Sequence, residues 1–195
     1  MKYQSIGVMC GSSEVCDQHF LDMAYSLGEL LGENGHTIIY GGGAKGLMRR
    51  VADGALSKNA IVKGYMPKFM IDVEWQHKGL SELIMTNSMS ERKHKMLNDS
   101  DATLFLPGGC GTMEEFFEWL TSKRLGHYTG PLILVNHKGY YDPLIELLNR
   151  MEYEKFHAPI HNDMWSVANT VEQVPQVLED APLWDTDAIK HAAVK

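Results

Sequence analysis

The chain has 195 residues, 44% hydrophobic and 22% charged, the proportions of a globular domain rather than of a disordered or coiled-coil chain. Its formal net charge of −7 argues against a nucleic-acid polymer or an anionic membrane as partner, since both reward a broad basic surface. No apolar run approaches a membrane span, and Cys10, Cys16 and Cys110 include no CxxC pair and fit reduced thiols. A cytoplasmic protein of one domain is expected, and the opening residues lead into a strand with no room for a signal peptide.

Short apolar runs alternate with amphipathic segments throughout. Strands are predicted at 5–10, 37–40, 61–66, 82–86, 102–106, 132–136 and 165–168, and helices at 17–34, 47–58, 90–99, 113–124, 143–156 and 171–180. Runs such as Ile38-Ile39 and Leu132-Ile133-Leu134-Val135 read as central parallel strands buried on both faces. The alternation predicts an α/β fold: a Rossmann-like, doubly wound, mostly parallel sheet flanked by helices. Residues 1–180 form that domain. Residues 181–195, with Pro182 and Trp184, form a C-terminal tail that is either a loose end or a short helix docked on a partner.

Three glycine-bearing turns follow three of the strands. They are Cys10-Gly11-Ser12-Ser13, Gly41-Gly42-Gly43-Ala44-Lys45-Gly46 and Pro107-Gly108-Gly109-Cys110-Gly111-Thr112. In a parallel sheet all three lie on the carboxyl edge, where ligands bind in this architecture. Glycine lets the main chain approach a ligand closely, and the start of the helix after the third turn favours an anion. None of the turns has Walker or dinucleotide spacing, so a monophosphate is the simpler ligand. Thr112 and Glu115 also read as a capping box. That alternative leaves the need for Gly108, Gly109 and Gly111 together unexplained.

Other chemistry is poorly supported. The nine histidines show no HExxH or paired Cys/His spacing, so no metal is expected. Cys110 has no evident base and reads as a spectator, and the twelve methionines read as core filler. Ser88 and Glu91 repeat the Ser-x-x-Glu capping pattern, which places Arg92 near a helix start with Lys95 and Met96 on the same face.

Tyr40-Gly41-Gly42-Gly43, Gly46-Leu47-Met48, Met89-Ser90-Glu91-Arg92-Lys93 and Pro107-Gly108-Gly109-Cys110-Gly111-Thr112-Met113-Glu114-Glu115 together resemble the ordered signature of the LONELY GUY family. These are cytokinin-activating phosphoribohydrolases that were long labelled lysine decarboxylases. The resemblance runs from about Ser5 to Thr170. It implies a Rossmann-like homo-oligomer, commonly a dimer, that hydrolyses a nucleoside 5′-monophosphate to free base and ribose 5-phosphate without a cofactor. It also implies Arg92 and Glu115 as the catalytic pair, and Gly108, Gly109, Gly111 and Thr112 as the phosphate turn. Gly11, Ser12, Gly42, Gly43 and Lys93 complete the expected substrate contacts. Lys45, Arg49 and Ser90 depart from the family pattern, and they bear on base selection and oligomer packing.

On this reading Glu115 stabilises positive charge on the ribose or takes a proton from water, while Arg92 holds the substrate or offsets charge on the departing base. Lys45, Arg92 and Lys93 are the cations expected beside the phosphate. A broader purine or pyrimidine nucleotide nucleosidase and a non-catalytic nucleotide-binding module remain the alternatives.

Overall fold

The computed structural model describes residues 2–71 and 76–191. Seven strands among them form one sheet: β1 Ser5–Met9, β2 Thr37–Tyr40, β3 Val62–Pro67, β4 Glu82–Thr86, β5 Ala102–Phe105, β6 Leu132–Val135 and β7 Ser166–Ala168. Their order is β4-β3-β2-β1-β5-β6-β7, and every pairing is parallel. The chain moves outward in one direction from β1 and in the other from β5. The junction of these two central strands is therefore the topological switch point, where this class of fold opens a crevice.

Successive strand residues point to opposite faces, and the core divides accordingly. Ile6, Val8, Ile38, Tyr40 and Leu104 pack with helices α1 (Gln18–Glu33) and α2 (Gly46–Ser57). Met9, Ile39, Phe105 and Leu134 pack on the other side with Phe116 and Trp119 of α4 (Cys110–Arg124), Met96 of α3 (Met89–Asp99) and Leu148 of α5 (Asp142–Tyr153). The last predicted helix divides into a 3₁₀ turn, Val171–Gln173, and α6, Val174–Asp180. Pro175 accounts for the break, because it has no N–H to continue the ladder. No helix among the described residues is long and apolar enough to cross a membrane.

One sequence expectation changes. Helix α4 begins at Cys110 rather than at 113, with Gly109 as its N-cap and no side-chain capping bond. Its first helical bond runs from Met113 N to Gly109 O, so Thr112 sits inside the first turn and Glu115 in the second. The Thr112–Glu115 capping box is therefore excluded. As far as residue 191 the tail packs against its own domain. The Trp184 indole donates to Lys123 O at 2.6 Å, and Ala188 is buried. Tail residues 192–195 lie outside the described residues.

Helices α1 and α2 cross with main chains touching. A Cβ on Gly54 would lie 2.2 Å from the backbone oxygen of Tyr25, which cannot swing aside as a side chain can. Gly54→Ala should lower unfolding stability by about 1–3 kcal/mol, the usual overpacking cost, measured by chemical denaturation.

Candidate active site

Arg92 is brought to the crevice by the start of α3. Ser88 Oγ accepts Glu91 N at 3.1 Å, and the Glu91 carboxylate accepts Asn87 N at 2.8 Å. This backbone bond leads the interactions that hold Glu91 down to about 2, so the cap stays charged across the physiological range. One residue later the Arg92 side chain turns inward and is buried, 8% exposed. Its Nε donates to Tyr65 O at 2.8 Å and its Nη1 to Glu115 Oε1 at 3.3 Å. The other arm of the guanidinium, Nη2, would lie 2.3 Å from a Cβ on Gly41. The end of β3, the turn after β2 and the second turn of α4 thus fix one cation from three sides.

Glu115 is equally enclosed, 9% exposed. Burial pushes its carboxyl above the ordinary range; Arg92 and Lys93 oppose this, while Glu114 and Glu118 reinforce it. The Cys10 thiol at the end of β1 interacts with Glu115, and its pKa is raised chiefly by burial. The pair therefore holds a carboxylate that is costly to ionise and a guanidinium that stays charged.

A cavity of about 270 Å³ opens over this pair. Gly11, Ser12, Gly109, Gly111 and Thr112 line one side, and Met48, Met70 and Met89 another. The N–H groups of Cys110, Gly111 and Thr112 precede the first helical bond, so the positive end of α4 meets the cavity. A second cavity, about 360 Å³, shares Gly11, Ser12 and Gly109 with the first and continues past Phe20, Leu47 and Tyr140. Between them runs a strip of bare main chain. Gly11 N donates to Pro107 O at 3.1 Å, and a Cβ on Gly11 would come within 3.2 Å of Gly108 Cα. The Tyr140 hydroxyl ties this strip down through Gly108 O at 2.6 Å. A cavity of about 490 Å³ near Tyr3, Asp101 and Pro131 lies at the amino ends of the strands, away from the pair.

Of the residues expected from sequence, Arg92, Glu115, Gly11, Ser12, Gly109, Gly111 and Thr112 converge on one cavity. Gly108 stands just behind, lining the second cavity. Gly42 and Gly43 do not line either one. Gly42 O instead accepts His77 N at 3.0 Å, and Gly43 bridges to Gln76, so these two glycines dock the segment before β4. Lys93 turns away to Glu114 and Glu118. Lys45 lines a separate cavity with Arg49 and His77, so it is not one of the cations beside the pair.

Sequence reasoning missed Gly41, Cys10, Glu114 and the three methionines on the wall. Gly41 stood in plain view within a glycine triplet, but nothing local distinguishes it from its neighbours. Its role appears only once Arg92 arrives from 51 positions further on. The methionines are evenly scattered in sequence and carry no spacing signal. Among the described residues, no three His, Cys, Asp or Glu side chains gather as a metal site.

Residues 48–178 match the family described as "Possible lysine decarboxylase". The chain is 39% identical over 155 residues to a probable cytokinin riboside 5′-monophosphate phosphoribohydrolase of Oryza sativa subsp. japonica, covering 80% of this chain and 70% of that one. It is 33% identical over 190 residues to a cytokinin riboside 5′-monophosphate phosphoribohydrolase of Arabidopsis thaliana, covering 97% and 88%. The chain belongs to the LONELY GUY family. The fold of this chain is similar to that of the molybdenum cofactor carrier protein of Chlamydomonas reinhardtii, with TM-score 0.70 and 20% identity over 91% of this chain and 97% of that one. At that identity the likeness concerns architecture.

Gly41 tests whether the placement of Arg92 matters in this LONELY GUY protein. Gly41→Ala should displace the guanidinium and lower turnover at least tenfold, about 1.4 kcal/mol of barrier, while Gly42→Ala leaves Arg92 in place. Steady-state rates of the two variants, with folding checked by circular dichroism, make the comparison.

Proposed function

We propose that this protein hydrolyses the N-glycosidic bond of N6-modified adenosine 5′-monophosphates, such as cytokinin riboside 5′-monophosphates, to free base and ribose 5-phosphate. The observation that carries the reading is the buried Arg92–Glu115 pair set beside the amino end of α4 in one cavity. The names of the Oryza and Arabidopsis relatives support it independently.

Breaking the bond to the base develops positive charge on the ribose. Glu115, ionised, faces that charge and accepts a proton from the attacking water as its oxygen joins the anomeric carbon and the bond to the base breaks; the departing base takes up a proton from solvent, and Glu115 returns its own to solvent. Arg92 stays charged and is a poor proton donor, so its role is to hold the substrate and keep Glu115 ionised. The start of α4 and the Gly11–Ser12 turn receive the 5′-phosphate, whose binding energy orients the scissile bond.

The "Possible lysine decarboxylase" description fits the chemistry less well. Pyridoxal-dependent decarboxylation requires a lysine that forms a Schiff base, and no lysine lines the cavity among its described residues. Lys93 is committed to two carboxylates. The reading also includes a cytoplasmic, homodimeric enzyme that acts on a small nucleotide without a cofactor. The free thiols of Cys10, Cys16 and Cys110 fit a reducing compartment.

Glu115→Gln keeps shape but removes charge, so base release should fall below about a tenth of the starting rate, more than 1.4 kcal/mol of barrier. In the unaltered enzyme the rate should fall as pH drops through the raised value of Glu115. That places the acid midpoint above the ordinary glutamate value of about 4.3. A pH–rate profile of free-base release checks both expectations.

The substrate must also carry its phosphate. Catalytic efficiency on adenosine 5′-monophosphate and its N6-isopentenyl form should exceed that on the matching nucleosides by at least about a hundredfold, roughly 2.7 kcal/mol. The loss should fall on turnover as well as affinity. Equal efficiency with and without phosphate would overturn the assignment of the α4 amino end.

A further inference from the structure

Lys93 has a different part to play from the phosphate contact expected of it. It follows Arg92 on α3, and adjacent helical residues diverge by about 100°, so the two cations serve different partners. Arg92 enters the cavity; Lys93 spans to α4, where Glu114 and Glu118, one helical turn apart, both pair with its ammonium. Its side chain is only 13% exposed. Burial alone would favour the neutral amine, but the hydrogen bonds to Glu114 and Glu118 outweigh it and hold Lys93 protonated.

The charges around Glu115 explain why this pairing matters. Arg92 and Lys93 face it from α3, Glu114 and Glu118 flank it on α4, and the Cys10 thiol lies at the end of β1. Three carboxylates thus crowd the second and third turns of one helix against two cations. Without Lys93, two unbalanced negative charges would stand beside the buried carboxylate that has to ionise, and like charges disfavour ionisation.

We infer that Lys93 is a positioning residue of the reaction: by offsetting the charge of Glu114 and Glu118 it sets the pH at which Glu115 becomes an active carboxylate, and it does not bind the substrate phosphate. The inference rests on the role of Glu115 proposed above. It separates the two adjacent cations of the Arg-Lys pair into a substrate-facing group and an electrostatic counterweight.

The test combines pH–rate profiles on N6-isopentenyladenosine 5′-monophosphate with NMR titration of ¹³C-labelled glutamate side chains, using Glu115→Gln to assign the signal. In Lys93→Met the acid midpoint should move up by about one pH unit, the lower end of what a neighbouring charge produces, because Glu114 and Glu118 are partly solvated. KM above both midpoints should stay unchanged, Lys93→Arg should restore the original profile, and high salt should narrow the difference. Glu118→Gln, the opposite change in charge, should move the midpoint down and keeps the test available if Lys93→Met does not fold. A raised KM with an unmoved midpoint would make Lys93 a phosphate ligand and overturn the inference. So would an unmoved midpoint with unchanged KM. If the nucleotide is not hydrolysed at all, the proposed reaction fails, while the NMR titration still decides whether Lys93 governs Glu115.

Discussion

The structure is organised around an ion pair that had to be buried. Enclosing Arg92 and Glu115 forfeits the hydration of both charges, and the loss is offset by their mutual attraction and by the further bond that Arg92 makes. Arg92 has Tyr65 O and Glu115, and the capped start of α3 fixes its direction of approach. The pair also couples folding to pH in a definite sense. A carboxyl raised in the folded state contributes stability that is complete below its unfolded value near 4.3 and is lost as pH rises through the folded value. The chemistry needs the ionised form. Catalytic competence and the group's contribution to stability therefore run in opposite directions.

The parallel sheet supplies the positions from which this pair is assembled. Three of its turns, after β1, β2 and β5, reach the same edge because every strand runs the same way. Each contributes through an absence of side chain. Gly41 leaves room for a guanidinium, and Gly11 and Gly108 let two turns touch. Helices α3 and α4 lie on one face of the sheet and bring opposite charges together across it. The other face, with α1 and α2, carries the wall of the second cavity.

Much of this was legible in the sequence where the signal is local. Strands β2 and β4 and the Ser88–Glu91 start of α3 were readable because alternation and capping depend on neighbours a few residues apart. Arg92 and Glu115 were found through motif resemblance, since a 23-residue separation leaves no periodic trace. The start of α4 was misplaced because Gly108, Gly109 and Gly111 suit a turn or a helix entry equally. Only the Met113–Gly109 bond distinguishes them. Lys93 looked like a ligand for an anion because sequence shows charge but not the direction a side chain takes from its helix. The twofold glutamate partner emerges only when α3 and α4 are side by side.

The contact between Gly11 and Gly108 has a consequence for what can lie across both cavities. Elsewhere a protein widens or narrows a passage by exchanging side chains, but here the sill is the polypeptide itself, held by a main-chain hydrogen bond and the Tyr140 hydroxyl. Both residues already have the smallest side group available. The clearance over this saddle can be reduced by substitution but not enlarged, so the maximum thickness of any molecule that bridges the two chambers is fixed by topology. Variation in preference has to arise at the chamber walls, among adaptable residues such as Met48, Met70, Met89 and Phe20.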